Sequence, residues 1–226
     1  MISWEKLPRG MRCPEVRCYY EILKKHEKEL KVKALFDRSL ALFLLILFAL
    51  PMAAIALAIV LDSPGGVFFR QERITEGCRV FKIHKFRTMV KDADKNGSLV
   101  TVSGDARVTA VGAFLRKYRL DELPQLIDVL QGDMSFVGTR PEVPAYVKKY
   151  TKEMRATLLL PAGITSEASI EYKDEAKLLD GVSDTDEVYI NKILPEKMKY
   201  NLASIEKFSL LNDLKTMFKT VGAVLC

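Results

Sequence analysis

No charged side chain occurs in residues 39–61, which read SLALFLLILFALPMAAIALAIVL and constrain the fold more than any other stretch. Crossing the hydrocarbon core of a bilayer takes about 20 apolar residues in a helix, so this stretch is long enough. Pro51 lies near its middle, where it removes a backbone N–H and its ring clashes with the carbonyl one turn earlier. The stretch therefore predicts either a kinked span or a helix-break-helix that enters the membrane and returns.

Basic residues flank the apolar stretch on both sides. They are Lys28, Lys31, Lys33 and Arg38 before it, and Arg70, Arg73, Arg79, Lys82 and Lys85 after it. Lys and Arg near a membrane segment prefer the cytoplasmic side, and only a returning segment keeps both flanks there. A break inside lipid must have its freed backbone groups satisfied by other groups. The local pattern alone leaves the kinked span and the re-entrant hairpin both open.

The excess of positive charge is concentrated beside the apolar stretch. The chain of 226 residues carries a net charge of +6, and residues 1–40 hold ten Lys or Arg against six Asp or Glu. This placement favours attraction to anionic lipid headgroups. Nucleic acid is not an expected partner, because no segment repeats basic and aromatic residues in a binding pattern. We expect an N-terminal extension at 1–30, a membrane-associated helix at 31–61 and a domain at 62–226 that is polar enough to fold in water.

The remaining patterns predict a mainly helical α+β fold. Short strands at 67–71 and 78–84 predict a β-hairpin, and residues 90–109 and 132–144 are typical of loops. Helical spacing marks 109–129, interrupted by Pro124, and also marks 145–160, 188–208 and 210–224. The last helix places six apolar residues on one face, which suits either a core helix or one lying flat on the membrane: Leu210, Leu211, Leu214, Met217, Phe218 and Val221.

The adjacent carboxylates Asp121 and Glu122, within RKYRLDELPQL, are the strongest candidates for chemistry. Acidic residues are also common at helix starts, where they cap free N–H groups, so a capping role is the plain alternative. Cations surround the pair in sequence and suit a multiply anionic, phosphorylated substrate. They are Arg116, Lys117 and Arg119 just before it, Arg140 in the turn GTRP, and Lys85 and Arg87 in KFRTM.

Several motifs, taken in order, resemble the bacterial sugar transferases known as monotopic phosphoglycosyl transferases. The similarity covers roughly residues 31–226 and includes Asp37-Arg38, the proline-broken apolar helix and DSPGGVFFRQER at 62–73. It continues through four further motifs, which are KFRTM at 85–89, RKYRLDELPQL at 116–126, GDMSFVGTRP at 132–141 and PAGIT at 161–165.

The resemblance implies transfer of a sugar-1-phosphate from a UDP-sugar to a polyprenol phosphate, expected to be undecaprenyl phosphate, with release of UMP. It makes Asp121 the nucleophile of a covalent phosphosugar intermediate and a ligand of Mg²⁺. Glu122 would place the metal or accept a proton. The implied phosphate-binding residues are Lys85, Arg87, Arg116 and Arg140, with Arg119 and Asp213 as weaker candidates and Pro51 as the membrane break. A salt bridge that stiffens the turn is the plain alternative for Arg140.

The resemblance also implies a location and a topology. The catalytic domain and both termini are expected on the cytoplasmic side of the bacterial inner membrane, in contact with phospholipid, and a homodimer stays open. The family often has Ser-Pro at the break, whereas Leu50 precedes Pro51 here. Two rival hypotheses stay open, a non-catalytic membrane adaptor and an enzyme of the same chemistry with one kinked span. The identity of the sugar, the glycan pathway and the task of residues 1–30 do not follow from the sequence.

Overall fold

The structure, a computed structural model, describes residues 1–91, 93, 105–179, 182 and 184–225. These residues form a mainly helical α+β fold, as predicted, and its strands make two small sheets. The strands are β1 (Phe68–Thr75), β2 (Arg79–Phe86), β3 (Met134–Val137) and β4 (Ala162–Thr165). The described α-helices are α1 (Pro14–Lys25), α2 (Glu27–Leu47), α3 (Ala49–Asp62), α4 (Ala110–Lys117), α5 (Gln125–Gln131), α6 (Pro144–Val147), α7 (Glu167–Glu171), α8 (Glu175–Leu178), α9 (Thr185–Val188), α10 (Leu194–Glu206) and α11 (Leu210–Leu225). Short 3₁₀ turns and a π-helical turn at Tyr189–Ile193 join some of them.

The predicted hairpin is confirmed, and it is longer than the sequence pattern indicates. Strands β1 and β2 pair antiparallel from Phe68 opposite Phe86 to Thr75 opposite Arg79. The side of β2 away from β1 packs along α5, so Phe81 and Ile83 join Leu126 in one apolar cluster. Lys85, farther along the same strand, thereby comes to the N-terminal side of α5.

The second sheet was missed by the sequence analysis, which treats 132–144 as a loop. Strands β3 and β4 are parallel, with Met134 opposite Ala162 and Val137 opposite Thr165. Each has only four residues, too few for alternation to be recognised in a sequence. Arg140 leaves the carboxyl end of β3, the edge of a parallel sheet where ligands commonly bind.

The apolar stretch forms two helices that meet at a sharp bend. Helix α2 ends at Leu47 and α3 begins at Ala49, and their axes differ by 63°. The break falls at Phe48, three residues before Pro51, because Pro51 has no N–H for the carbonyl of Leu47 and its ring crowds that carbonyl. Pro51 itself lies in the first turn of α3, where backbone N–H groups have no partner within the helix.

Among the described residues, no single helix is long and apolar enough to cross a bilayer. Helices α2 and α3 meet that requirement only when taken together as a bent pair.

The segment before the bent pair packs on the domain that follows it. Leu7, Met11 and Leu23 share one buried cluster with Leu159 and Met198. Polar contacts join the same parts of the chain, since the Tyr19 hydroxyl donates to Glu153 at 3.0 Å and Arg155 donates to the Gly10 carbonyl at 2.7 Å. The two ends of the bent pair therefore belong to a single folded unit.

Helix α11 has an amphipathic pattern, yet half of its predicted apolar face is exposed. Leu211, Phe218 and Val221 are exposed, Phe218 by 77 %. Met217 packs on the cluster that holds Ala41 of α2. The sequence left open whether this helix packs in the core. Leu211, Phe218 and Val221 are not core residues.

Arg87 connects the end of α3 to the hairpin. Its guanidinium donates to the carbonyls of Pro64 and Ser63, each at 2.7 Å, and to that of Ile59 at 3.3 Å. A cation that binds the last carbonyls of a helix satisfies them and opposes the negative end of the helix dipole. The bent pair is thus fixed directly to strand β2, whose last residue, Phe86, precedes Arg87.

Gly65 should be required for this connection. Its φ is +135°, and a Cβ atom there would lie 2.1 Å from Nη1 of Arg87. We expect Gly65→Ala to lower the free energy of unfolding by about 1–3 kcal/mol, through backbone strain and displacement of the guanidinium. The matched control is Gly66→Ala, because a Cβ at Gly66 meets nothing within 4 Å. Thermal unfolding in one detergent measures both, and equal melting temperatures would contradict this account of Arg87.

Candidate active site

The carboxylate pair and the cations predicted around it line one cavity of about 810 Å³. The residues brought together are Lys85, Arg87, Arg116, Arg119, Asp121, Glu122 and Arg140. Their sequence positions span more than 50 residues, and the fold collects them from β2, α4, the turn before α5 and the loop after β3. Asp213 is not among the residues that line this cavity.

A tight turn between α4 and α5 presents the two carboxylates. Arg119 has a left-handed backbone, with φ of 55°, and the 3₁₀ turn Leu120–Glu122 follows it directly. Pro124 then precedes α5, whose start carries no side-chain cap. Neither carboxylate caps a helix, so the capping role that the sequence left open for Asp121 and Glu122 is not what the structure has.

Glu122 is held between two cations. Its Oε1 atom lies 2.8 Å from Nζ of Lys85 and 2.7 Å from Nη2 of Arg140, and its Oε2 atom lies 3.5 Å from Nη1 of Arg140. These two cations hold the pKa of Glu122 well below its usual value, although burial opposes them. Glu122 in turn raises the pKa of Arg140. Arg140 therefore does form a salt bridge, and that bridge is inside the cavity.

Asp121 has the opposite environment. It is 8 % exposed, and its carboxylate makes no hydrogen bond or ion pair with the part of the chain that the structure describes. Burial raises the pKa of Asp121, with a further rise from Glu122, while Lys85 and Arg116 oppose that rise. In its ionised form, Asp121 therefore presents oxygen lone pairs to the cavity. Cations from the described part of the chain lie near it, but none of them forms an ion pair with it.

Two more cations of the predicted set line the cavity near the pair. The Nε atom of Arg116 donates to the Thr88 hydroxyl at 2.8 Å, which holds the guanidinium against strand-end residues. Burial lowers the pKa of Arg116 and Asp121 raises it. Arg119 donates to the carbonyl of Lys173 at 3.2 Å, across the cavity from the hairpin.

Two predicted residues make contacts of another kind. Arg87 directs both terminal nitrogens to backbone carbonyls at the end of α3. Asp213 pairs with Lys33 of α2 at 2.8 Å, and Lys33 also lies 3.4 Å from Asp37. Asp37 accepts from the Ser135 hydroxyl at 2.7 Å, so this buried group joins α2, α11 and β3.

The sequence analysis missed a polar wall that completes the cavity. Its members are Arg73, Glu142, Tyr189 and Lys197. Arg73 and Glu142 stand beside recognised motifs, in RQER and directly after GTRP, and those positions could have indicated them. Tyr189 and Lys197 carry no sequence signal, because they reach the cavity only through the packing of α10 and the turn before it.

The donor atoms at the pair were compared with the needs of Mg²⁺. No three His, Cys, Asp or Glu side chains within the described ranges are grouped so that they could hold a metal. Mg²⁺ is usually held through one or two carboxylates together with substrate phosphates and water. Asp121, whose carboxylate has no protein partner among the described residues, fits that arrangement, whereas Glu122 is already paired with two cations.

Comparison with known sequences assigns the family. The sequence model of the family described as bacterial sugar transferase matches residues 28–226, which is most of the chain. The chain therefore belongs to the bacterial sugar transferase family, as its motifs indicated.

Three relatives illustrate the similarity. The chain is 36 % identical, over 86 % of its length, to the UDP-N-acetylgalactosamine-undecaprenyl-phosphate N-acetylgalactosaminephosphotransferase of Aeromonas hydrophila, and covers 44 % of that protein. It is 42 % identical, over 60 % of its length, to a putative undecaprenyl-phosphate N-acetylgalactosaminyl 1-phosphate transferase of Bacillus subtilis, covering 75 % of it. It is 37 % identical, over 82 % of its length, to the UDP-glucose:undecaprenyl-phosphate glucose-1-phosphate transferase of Escherichia coli, covering 38 % of it. The chain thus spans less than half the length of the first and third of these relatives.

The two carboxylates should have opposite effects on stability. Glu122→Gln removes the ion-pair partner of the half-buried Lys85 and Arg140, and we expect a loss of about 1–3 kcal/mol. Asp121→Asn removes a charge whose burial is not compensated by a hydrogen bond, so we expect the melting temperature to stay level or to rise. Burial raises the pKa of Asp121, so the ionised form is the one that the folded protein disfavours and its cost to stability grows as the pH rises. Thermal unfolding at pH 7 measures both variants, and a larger loss for Asp121→Asn would contradict these roles.

Proposed function

We propose that this chain transfers a sugar-1-phosphate from a UDP-sugar to a polyprenol phosphate, with release of UMP. The observation that carries the proposal is the contrast between neighbours, since Glu122 is paired with two cations while Asp121 faces the cavity without a partner among the described residues. A carboxylate can attack phosphorus and divide a difficult transfer into two easier ones. The relatives named above are undecaprenyl-phosphate sugar-phosphate transferases, so undecaprenyl phosphate is the acceptor we propose.

In the first step, an Asp121 carboxylate oxygen attacks the sugar-bearing phosphorus of the donor. A new oxygen–phosphorus bond forms, the bond from that phosphorus to the bridging oxygen breaks, and UMP leaves with the bonding electron pair. The sugar phosphate is then covalently attached to Asp121. Arg116 and Arg119 add to the positive charge that Lys85 and Arg140 supply, so the four cations outnumber the two carboxylates and favour a diphosphate.

In the second step, a phosphate oxygen of the polyprenol phosphate attacks the same phosphorus. The bond to Asp121 breaks, the carboxylate is regenerated, and the product is a polyprenyl diphosphate sugar. Glu122 holds Lys85 and Arg140 in place throughout, because its ionised form pairs with both. A Mg²⁺ ion held by Asp121 together with the donor phosphates would neutralise charge on the departing phosphate.

The acceptor phosphate lies at the lipid headgroup level, so the cavity must reach the membrane surface. We propose that α2 and α3 form a re-entrant hairpin with both termini on the cytoplasmic side of a bacterial inner membrane. The shared core supports this topology, because residues on either side of the bent pair pack in one cluster. The 63° bend and the exposed apolar residues of α2 and α3 further support it.

The product places the reaction at the start of lipid-linked glycan assembly. A sugar attached to a polyprenyl diphosphate is a substrate for later transfer of further sugars. The names of the relatives include both N-acetylgalactosamine and glucose donors, so we propose that the donor carries a hexose or an N-acetylhexosamine.

Replacement of Asp121 tests the mechanism. With undecaprenyl phosphate and a panel of UDP-sugars, we expect Asp121→Asn to lower UMP release by roughly 1000-fold or more, because the nucleophile is lost. The wild type, given donor with a labelled sugar and no acceptor, should retain label on the protein after denaturation, and the variant should not. Asp133→Asn is the matched control and should stay active, since Asp133 pairs with Arg79 outside the cavity. Turnover by Asp121→Asn near the wild-type rate would refute the covalent step.

A non-catalytic adaptor is the alternative from another functional class. It predicts that the wild type releases no UMP with any donor and that Asp121→Asn has no activity to lose. The geometry argues against it, because neither carboxylate of the pair caps a helix.

Chemical labelling tests the topology. Cys18 is exposed and precedes the bent pair, and the exposed Lys199 follows it. We expect Cys18, kept as the only cysteine, and a Lys199→Cys variant without native cysteines to react with an impermeant maleimide in inverted vesicles and not in spheroplasts. A single kinked span predicts that only one of the two positions reacts in each preparation.

A further inference from the structure

Glu142 is a buried carboxylate that faces the same cavity and has no place in the two steps above. We propose that Glu142 recognises the sugar carried by the donor, by accepting a hydrogen bond from one of its hydroxyl or amide groups. This inference rests on the proposed function and adds a residue that determines donor specificity.

The contacts of Glu142 leave one oxygen available. The side chain lines the cavity and the residue is 7 % exposed. Its Oε1 atom accepts from the Tyr189 hydroxyl at 2.5 Å, whereas Oε2 has no hydrogen-bond partner within the described part of the chain. A carboxylate is an acceptor only, and Oε2 is not closed off from the cavity that the side chain lines. A ligand that brings an O–H or N–H group into the cavity can therefore donate to it.

The orientation of Glu142 is fixed from behind. Lys197 is buried and donates to the Tyr189 hydroxyl oxygen at 3.2 Å and to Glu175 at 2.6 Å. Because that oxygen accepts from Lys197, its proton is directed to Glu142. The backbone is held as well, since the Glu142 carbonyl accepts from the Ile74 N–H at 3.0 Å.

The charge of Glu142 has a nearby counterpart. Arg73 lines the same cavity. Burial lowers the pKa of Arg73, and its electrostatic interaction with Glu142 is the largest influence that opposes this fall. The Nε atom of Arg73 is buried and also lacks a hydrogen-bond partner among the described residues. The positive charge of Arg73 therefore offsets the carboxylate in this wall, beside the negative diphosphate.

Glu142 lies only two residues after Arg140, which favours contact with the transferred sugar rather than with the nucleoside. Arg140 precedes a proline and so favours an extended backbone, in which two residues advance by roughly 7 Å. That separation is about the width of one sugar ring beyond the phosphate bound at Arg140. In a UDP-sugar, the transferred sugar is attached to the phosphorus that is attacked, whereas the ribose lies beyond a second phosphate.

The test compares Glu142→Gln with the wild type on natural and single-deoxy UDP-sugars. In the wild type, removal of the contacted hydroxyl should lower kcat/KM by about 10- to 100-fold. For Glu142→Gln, kcat/KM with the natural donor should be lower than that of the wild type by a similar factor. Removal of the same hydroxyl from the donor should then lower the kcat/KM of this variant by less than about 3-fold. Inhibition by UMP should be unchanged, because Glu142 does not contact the nucleotide. Glu142→Asp keeps the charge on a shorter side chain, so its kcat/KM should lie between those of the wild type and of Glu142→Gln. It replaces the glutamine variant in the test if that variant does not fold.

Glu153→Gln is the matched control, because Glu153 also accepts from a tyrosine hydroxyl, at 3.0 Å from Tyr19, and does not line the cavity. It should leave kcat/KM unchanged for every donor. An equal loss on all donors with discrimination intact would reduce Glu142 to a structural residue, and weaker inhibition by UMP would assign it to the nucleotide. Absence of UMP release by the wild type would instead refute the proposed function, and this inference with it.

Discussion

The pairing of Glu122 with Lys85 and Arg140 is the interaction on which the candidate site depends. Two adjacent carboxylates would ordinarily compete for the same cations. Here the left-handed backbone of Arg119 and the tight turn after it direct Glu122 to both cations and leave Asp121 facing the cavity. The same arrangement separates their pKa values, since partners lower that of Glu122 and burial raises that of Asp121. Neighbouring groups of one chemical type thus acquire different tasks through their surroundings.

The broken apolar helix, the hairpin and the carboxylate pair were predictable because each leaves a local signal in the sequence. The apolar helix lacks charge, the hairpin strands carry a short apolar pattern, and the carboxylate pair lies in a motif, so each signal is visible within a short stretch of sequence. The β3–β4 sheet could not be predicted, because four-residue strands pair over a distance of some 30 residues. Lys197 was equally hidden, since it reaches the cavity from a helix whose pattern indicates only an amphipathic element.

The basic residues show a related limit of sequence reasoning. Arg87, Arg116 and Arg140 are equivalent as charges in a motif, yet their contacts differ. Arg140 pairs with Glu122, Arg116 holds a threonine hydroxyl, and Arg87 binds the carbonyls that end α3. The break at Phe48 is a smaller case of the same kind. A proline affects the carbonyl four residues earlier, so the bend precedes the residue that causes it.

The packing of residues 1–25 on the later part of the domain also constrains the order in which the chain can fold. Gly10 and Arg155 are separated by 145 residues, and Tyr19 and Glu153 by 134. At a synthesis rate of about 5–20 residues per second, the first segment waits roughly 7 to 30 s before its partners leave the ribosome. During that interval Leu7, Met11 and Leu23, all buried in the finished protein, have no core to enter. The nascent chain therefore carries these uncovered apolar side chains next to the uncharged stretch 39–61, and both need cover until synthesis of the domain is complete.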